Sequence, residues 1–264
     1  MFADDHWTGG KMNKWNYLKM CIPVISGLIL VMIILGMNIP TTTKHAAKNV
    51  ARTNDYYFEW IQNAAYAPVF YVRDTQSSLG PYDSGIKCIT MEDLIKMHGH
   101  PCDGVATAAC ALSLGLNELY PDGVIDRTDT ACITNNSPCF GDVAAYLTGG
   151  RIRFGTQKID PKMGMEFIIY RISSGKAVKV SLKPGVFPAD VLELEKKIKS
   201  GDFTEQEMRQ CQQRQWDYAR NLLNRPLSES FLIEELKDFH WQADEYEHLG
   251  VRGDVVNKNF YDKR

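Results

Sequence analysis

Two imidazoles and a thiol fall within five positions of this chain. His98, His100 and Cys102 lie in the run His98-Gly99-His100-Pro101-Cys102-Asp103-Gly104. Imidazole nitrogen and thiolate sulfur are the donors that zinc and similar borderline-soft metals prefer. A small-residue helical pattern starts directly after Cys102, which predicts that the cluster sits where a loop enters a helix. A helix N-terminus offers free N–H groups and the positive end of a dipole, and both favour a thiolate. The i, i+2 spacing of His100 and Cys102 cannot place both on one helix face, but a loop freed by Gly99 and Gly104 can turn them toward one ion. His98 is then either a third ligand or the residue that orients one. These residues point to a metal or thiol site and leave the reaction open.

The elements that must position the site are legible around it. Thr90-Met91-Glu92-Asp93 has the form of a capping box, and Met91, Leu94 and Ile95 make the apolar face of a helix that ends near His98-Gly99. A helix over about Cys102 to Leu119 follows, with Val105, Ala108, Ala109, Leu112, Leu116 and Leu119 at helical spacing. Tyr120-Pro121-Asp122-Gly123 is a stop and turn. Val124 to Thr130 reads as a strand delivering Ala131-Cys132, and Asp142 to Leu147 as a further helix. Residues 151–154, 166–171 and 177–182 read as strands, the last two as an antiparallel hairpin across Ser173-Ser174-Gly175-Lys176. Upstream, Asn54–Ala65 has a helical pattern and Pro68–Val72 a β-prone one. The fold class expected is α+β, with helices packed on a mixed or antiparallel sheet.

Beyond residue 188 the chain turns helical and charged. Val191, Leu194 and Ile198 make one stripe and Trp216, Ala219, Leu222 and Leu223 another. After Pro226, a third run places Leu232, Leu236 and Phe239 at i, i+4, i+7. Residues 188–264 are therefore expected to form a helical C-terminal extension. No C-x-x-C pair is present, so a zinc ribbon and a thioredoxin-type motif have no support.

Residues 20–43 carry no charge. Residues 20–39 are long and apolar enough to cross about 30 Å of hydrocarbon as one helix, preceded by a short flank at 1–19 and followed by a linker with the leading helix and strand at 40–85. A core helix would show a polar face. A cleavable signal has an apolar region of only about 7–15 residues, and no A-x-A site follows. A retained single-pass anchor is the reading adopted. Lys11, Lys14 and Lys19 on one side balance Lys44, Lys48 and Arg52 on the other, so the positive-inside rule does not settle orientation. A cytoplasmic N-terminus with an extracytoplasmic globular domain is the orientation taken.

The formal net charge of -2 offers no basic patch for a nucleic-acid partner. Serine-triad, phosphate-loop and dinucleotide signatures are absent from the sequence. There are seven cysteines. With Cys21 set in the apolar span, the others allow a disulfide set in an oxidising compartment, though a thiol beside two histidines fits a metal better. Cys110 reads as a small buried residue, and Cys88 and Cys211 as packing residues.

The motifs resemble those of the FmdE family, named after a component of formylmethanofuran dehydrogenase. His98-Gly-His100-Pro-Cys102-Asp-Gly104 is similar to the family's H-G-H-x-C-P-G signature, with Asp103 in place of proline. Arg127–Cys132 resembles a family strand that ends in cysteine. Asp142-Val143-Ala144-Ala145-Tyr146-Leu147-Thr148-Gly149 resembles the family's D-A-I-Q-x-L-T-G helix, with Gly150 where the family carries a further cysteine. Phe167–Arg171, Gly175-Lys176 and Val178–Val180 resemble the closing strands. The resemblance covers roughly residues 86–187; the zinc ribbon that many relatives add after it is absent from this sequence. It implies an α+β fold, a bound divalent transition metal and a homodimer. The cysteine that precedes the helix in the family corresponds to either Cys132 or Cys139, so the expected ligand set is His98, His100, Cys102 and one or both of these, around zinc. Asp142 either hydrogen-bonds a histidine or caps its helix, and the cap is the reading adopted. Three functions are expected to compete. The first is a membrane-anchored metal-binding accessory to a redox or metal-handling system, with a redox-complex partner. The second is a metal-dependent enzyme with an open coordination position. The third is a disulfide-stabilised exported module.

Overall fold

The protein is described by a computed structural model over residues 55–74, 85–152 and 155–242. Helix α1 (Asp55–Gln62) leads into strand β1 (Phe70–Arg73), and β2 (Lys87–Ile89) lies antiparallel beside it. Thr90 caps helix α2 (Met91–His98): the Asp93 N–H donates to the Thr90 hydroxyl, and the Thr90 N–H donates to the Asp93 carboxylate. This is the reciprocal box its sequence predicts. Gly99 ends the helix at φ 103°, a left-handed conformation that costs glycine least.

Four residues later the chain enters helix α3 (Asp103–Leu119), the central element of the fold. Strand β3 (Val124–Asp126) pairs parallel with β1. A turn follows in which the Asp126 carboxylate accepts the Thr128 N–H and hydroxyl at 3.0 and 2.7 Å. That turn divides the single strand expected at 124–130, and β4 (Thr130–Thr134) begins after it. Helix α4 (Pro138–Thr148) comes next, then β5 (Gln157–Ile159), β6 (Glu166–Arg171) and β7 (Lys176–Leu182). Helices α5 (Ala189–Lys199), α6 (Glu205–Leu223) and the single turn α7 (Leu227–Ser230) precede β8 (Phe231–Glu235).

The strands form a three-stranded sheet in the order β2-β1-β3 and a five-stranded sheet in the order β5-β4-β6-β7-β8. In the larger sheet β4 and β5 run parallel and the other pairs antiparallel, so it is mixed. The class is α+β, as the element pattern predicts.

Helix α3 is held at the centre by its small residues. Val105, Ala108, Ala109, Cys110, Ala111, Leu112 and Leu116 are fully buried. Gly115 lies hard against the sheet: a Cβ there would come within 2.4 Å of Ile169 Cδ1 and 2.8 Å of Val180 Cγ2. Any larger residue must displace packed core, which costs roughly 1–3 kcal/mol. Helix α6 packs on α3 as well, with the Tyr218 hydroxyl 3.1 Å from Thr107 Oγ1 and with Leu222 and Leu223 buried in the same core.

Three expectations are corrected. The strand expected at 151–154 is not formed at Arg151 and Ile152; residues 153–154 lie outside the described set, and pairing with β4 starts at Gln157. The expected third C-terminal helix is instead β8. Its Phe231-Leu232-Ile233 run is β-prone, and the free edge of β7 supplies a ladder in the register Leu182↔Phe231 and Val180↔Ile233. The helical spacing of Leu232, Leu236 and Phe239 yields to that pairing. As a result α6 and β8 complete the core rather than forming an appended helical segment. Finally, Cys88 is exposed rather than packed. The expected anchor at 20–39 lies outside the described residues, and among those described no helix is long and apolar enough to cross a membrane.

Candidate metal centre

Three helix ends meet at the site. His98 is the last residue of α2, Cys102 is the N-cap of α3, and Cys139 is the second residue of α4. Gly99 reverses the chain between the first two. Helix α4 starts four residues earlier than its apolar pattern suggested, with Pro138 at its first position, where a missing N–H does no harm. That early start places Cys139 within the first helical turn, so two positive helix ends face one pair of sulfurs.

The sulfurs of Cys102 and Cys139 lie 3.4 Å apart. Cys139 Sγ is also 3.6 Å from His98 Nε2, and the Val105 N–H donates to Cys102 Sγ at 3.4 Å. His98, His100 and Cys102 each offer a donor atom within 4.8 Å of the others. His98 and His100 have ring centroids 4.6 Å apart. The Asp142 carboxylate accepts from His98 Nδ1 at 2.8 Å, which leaves Nε2 directed at the sulfurs. The His98 side chain is only 3% exposed. His100 is exposed, and Cys102 and Cys139 are half-buried, so the site opens to solvent on the His100 side.

Gly104 makes the close approach possible. A Cβ at that position would fall 2.7 Å from Cys139 Sγ and 3.7 Å from Cys102 Sγ. The glycine in the sequence cluster therefore clears space for a sulfur.

The electrostatics follow from these contacts. The hydrogen bond to Asp142 and the one to Cys139 hold the His98 proton up to about pH 9, against burial, which acts the other way. The Cys139 thiol is held well below the ordinary thiol range by its hydrogen bond with Cys102 and by His98. The same sulfur–sulfur hydrogen bond, with burial, pushes the Cys102 thiol up. At neutral pH these directions favour an imidazolium beside one thiolate and one thiol. Next to it, Asp103 is buried, and desolvation with the nearby Glu195 charge raises its carboxyl to about 7.

The donor set fits a tetrahedral zinc ion. Bonds of about 2.3 Å to sulfur and 2.0–2.1 Å to nitrogen imply edges of about 3.8 Å between two sulfurs and about 3.6 Å between sulfur and nitrogen; the sulfur–Nε2 separation of 3.6 Å matches, and the two sulfurs, 3.4 Å apart, need to part by only about 0.4 Å. Of the residues expected from sequence, the structure brings His98, His100 and Cys102 within 4.8 Å of one another and sets Cys139 against Cys102 and His98. It does not bring Cys132 to them. Cys132 is fully buried in β4, paired opposite Ile169, and its S–H donates to the Ile133 carbonyl at 3.6 Å. Burial alone pushes its thiol up. Asp142 is the residue misread: Ser137 occupies the cap position, and Asp142 holds His98 instead. The i, i+3 spacing of Cys139 and Asp142 is the sequence signal for this, since it places both on one helix face.

An α+β domain carrying imidazole and thiol donors at converging helix ends defines the class of protein. The sequence profile of the FmdE family, described as molybdenum formylmethanofuran dehydrogenase operon, matches residues 97–232, more than half of the chain. The chain belongs to the FmdE family. The matched span takes in every donor of the site and continues through α5, α6 and α7 into β8, well past the end expected near residue 187. A crystal structure of a tungsten formylmethanofuran dehydrogenase FmdE-like protein from Syntrophus aciditrophicus is similar at 19% identity and a TM-score of 0.40, covering 56% of this chain and 73% of that one. No curated protein gives a sequence match.

Proposed function

We propose that this chain is a metal-binding FmdE-family protein in which His98, His100, Cys102 and Cys139 hold one zinc ion. The observation that carries the reading is the convergence of Cys102 Sγ, Cys139 Sγ and His98 Nε2 at 3.4 and 3.6 Å, within about 0.4 Å of the edges of a zinc tetrahedron. His98 binds through Nε2 because Asp142 holds its other nitrogen, and that support raises the basicity of the ligand. Four protein donors favour holding the metal over activating water, which needs an open position. Two histidines beside the Cys102–Cys139 pair favour a metal site over a disulfide-stabilised module.

The role proposed is that of an accessory to a redox or metal-handling system, in keeping with the family's description as part of a formylmethanofuran dehydrogenase operon. The chain is proposed to be anchored through residues 20–39, on the strength of the uncharged interval between Lys19 and Lys44, with its globular domain outside the cytoplasm. A homodimer is proposed from the family resemblance.

Elemental analysis of the full chain tests the metal reading. After reconstitution with zinc under reducing conditions and desalting, one zinc per chain is expected; no retained metal overturns the reading. Carbonate extraction should leave the chain in the membrane fraction, and release would reject the anchor. Light scattering in detergent should return a dimer mass at micromolar concentration, and a monomer mass would reject the assembly.

A further inference from the structure

We propose that Cys102 and Cys139 form a redox-sensitive dithiol, which a peroxide closes to a disulfide in place of the metal. The displacement of metal rests on the zinc reading above; the closure of the dithiol does not. The starting observation is that the two sulfurs, 37 residues apart in sequence, already touch at 3.4 Å. A disulfide needs about 2.0 Å, so about 1.4 Å of approach is required. Both side chains are half-buried, next to the exposed His100, so a molecule as small as a peroxide reaches them. Gly104 presents no Cβ between the elements that carry the two sulfurs. The remaining described cysteines do not compete for the bond: Cys110, Cys132 and Cys211 are buried, and Cys88 lies exposed on β2.

The step balances with a peroxide as oxidant. One sulfur attacks hydrogen peroxide, takes up one oxygen to become a sulfenic acid, and releases water. The second sulfur attacks the first, the S–S bond forms, and the hydroxyl leaves as a second water with the remaining thiol proton. Two thiols lose two electrons and the peroxide gains them. Surroundings on both sides suit this exchange. Cys139 lies in the first turn of α4 beside His98, and Cys102 caps α3 and accepts the Val105 N–H. A disulfide sulfur has no thiolate charge to give a metal, so closure removes two of the four donors at once.

The full chain is prepared reduced, once loaded with zinc and once treated with chelator, and each sample receives one equivalent of hydrogen peroxide. Remaining thiols are blocked under denaturing conditions, and the digest is read by mass spectrometry while a chromophoric chelator follows released zinc. The expected result is loss of two thiols per chain as a Cys102–Cys139 linked peptide, forming faster in the chelated sample. Zinc release should run parallel to linkage in the loaded one, and a dithiol reductant should restore both thiols and zinc uptake. Sulfinic acid at either position without the linkage overturns the proposal, as does predominant cross-linking through Cys88 between chains. Linkage with zinc fully retained overturns the displacement. Linkage in a chain that never binds zinc upholds the dithiol and defeats the metal reading alone.

Discussion

Asp142 Oδ2 lies 2.8 Å from His98 Nδ1, and this contact fixes which nitrogen of His98 faces the two sulfurs. A ligand histidine held this way pays less to adopt its binding orientation, and loss of such partners typically weakens metal affinity by about 10–100-fold. Asp142→Asn should therefore lower zinc affinity by about that factor while leaving the stoichiometry at one. A competition titration against a chelator of known affinity measures it; unchanged affinity would show that Asp142 does not support the ligand.

Protonation gives a second prediction. The folded pKa of His98 is raised to about 9, chiefly by Asp142. The reference value is about 6.5. In the metal-free chain the ion pair therefore contributes its full stability below about pH 6.5 and loses it as pH rises through about 9. The Asp142 side chain is 43% exposed, so the contribution is on the order of 1 kcal/mol after screening. Melting of the chelated wild type should show this loss between pH 6.5 and 10, and Asp142→Asn should show less of it. An identical pH profile in the two chains would contradict the assignment.

Metal uptake must displace the same proton. At pH 7.5, zinc binding is expected to release about two protons, one from His98 and one from Cys102, whose thiol is pushed up by Cys139 and burial. Calorimetry in buffers of different ionisation heat counts them. Release of none would mean that these groups are not ligands.

The centre of this site is legible in the sequence and its support is not. His98, His100 and Cys102 declare themselves by type and spacing, and the capping box at Thr90 and the left-handed Gly99 fix the helix that ends on them. The choice between Cys132 and Cys139 is not legible, because both precede Asp142 and only the fold separates them, setting Cys139 against Cys102 and His98 and burying Cys132 in β4. Asp142 is ambiguous because a carboxylate near a helix start caps or reaches outward depending on where that helix begins, and Pro138 begins it early. Strand β8 is hidden by an accidental helical spacing, which the ladder with β7 overrides.

Gly104 offers a test of close packing against local preference. Replacement by alanine improves helix propensity by up to about 1 kcal/mol. The new Cβ would stand 2.7 Å from Cys139 Sγ, and relieving such a clash costs roughly 1–3 kcal/mol. The second effect wins: Gly104→Ala should remain folded, with a melting temperature equal to or a few degrees below wild type, and bind zinc at least 10-fold more weakly. Wild-type affinity would show that the sulfurs do not need this approach.

The central claim is that Cys102 and Cys139, not Cys132, share one metal. Cobalt(II) substitution tests it most directly, because thiolate-to-cobalt charge transfer absorbs in proportion to the number of coordinating sulfurs. The wild-type chain should show the band expected for two thiolates in a tetrahedral field. Cys139→Ser should lose about half of it, and Cys132→Ser should keep all of it despite a stability loss of about 1–3 kcal/mol from a hydroxyl placed in the hydrophobic core. A full band in Cys139→Ser together with a diminished one in Cys132→Ser would contradict the account.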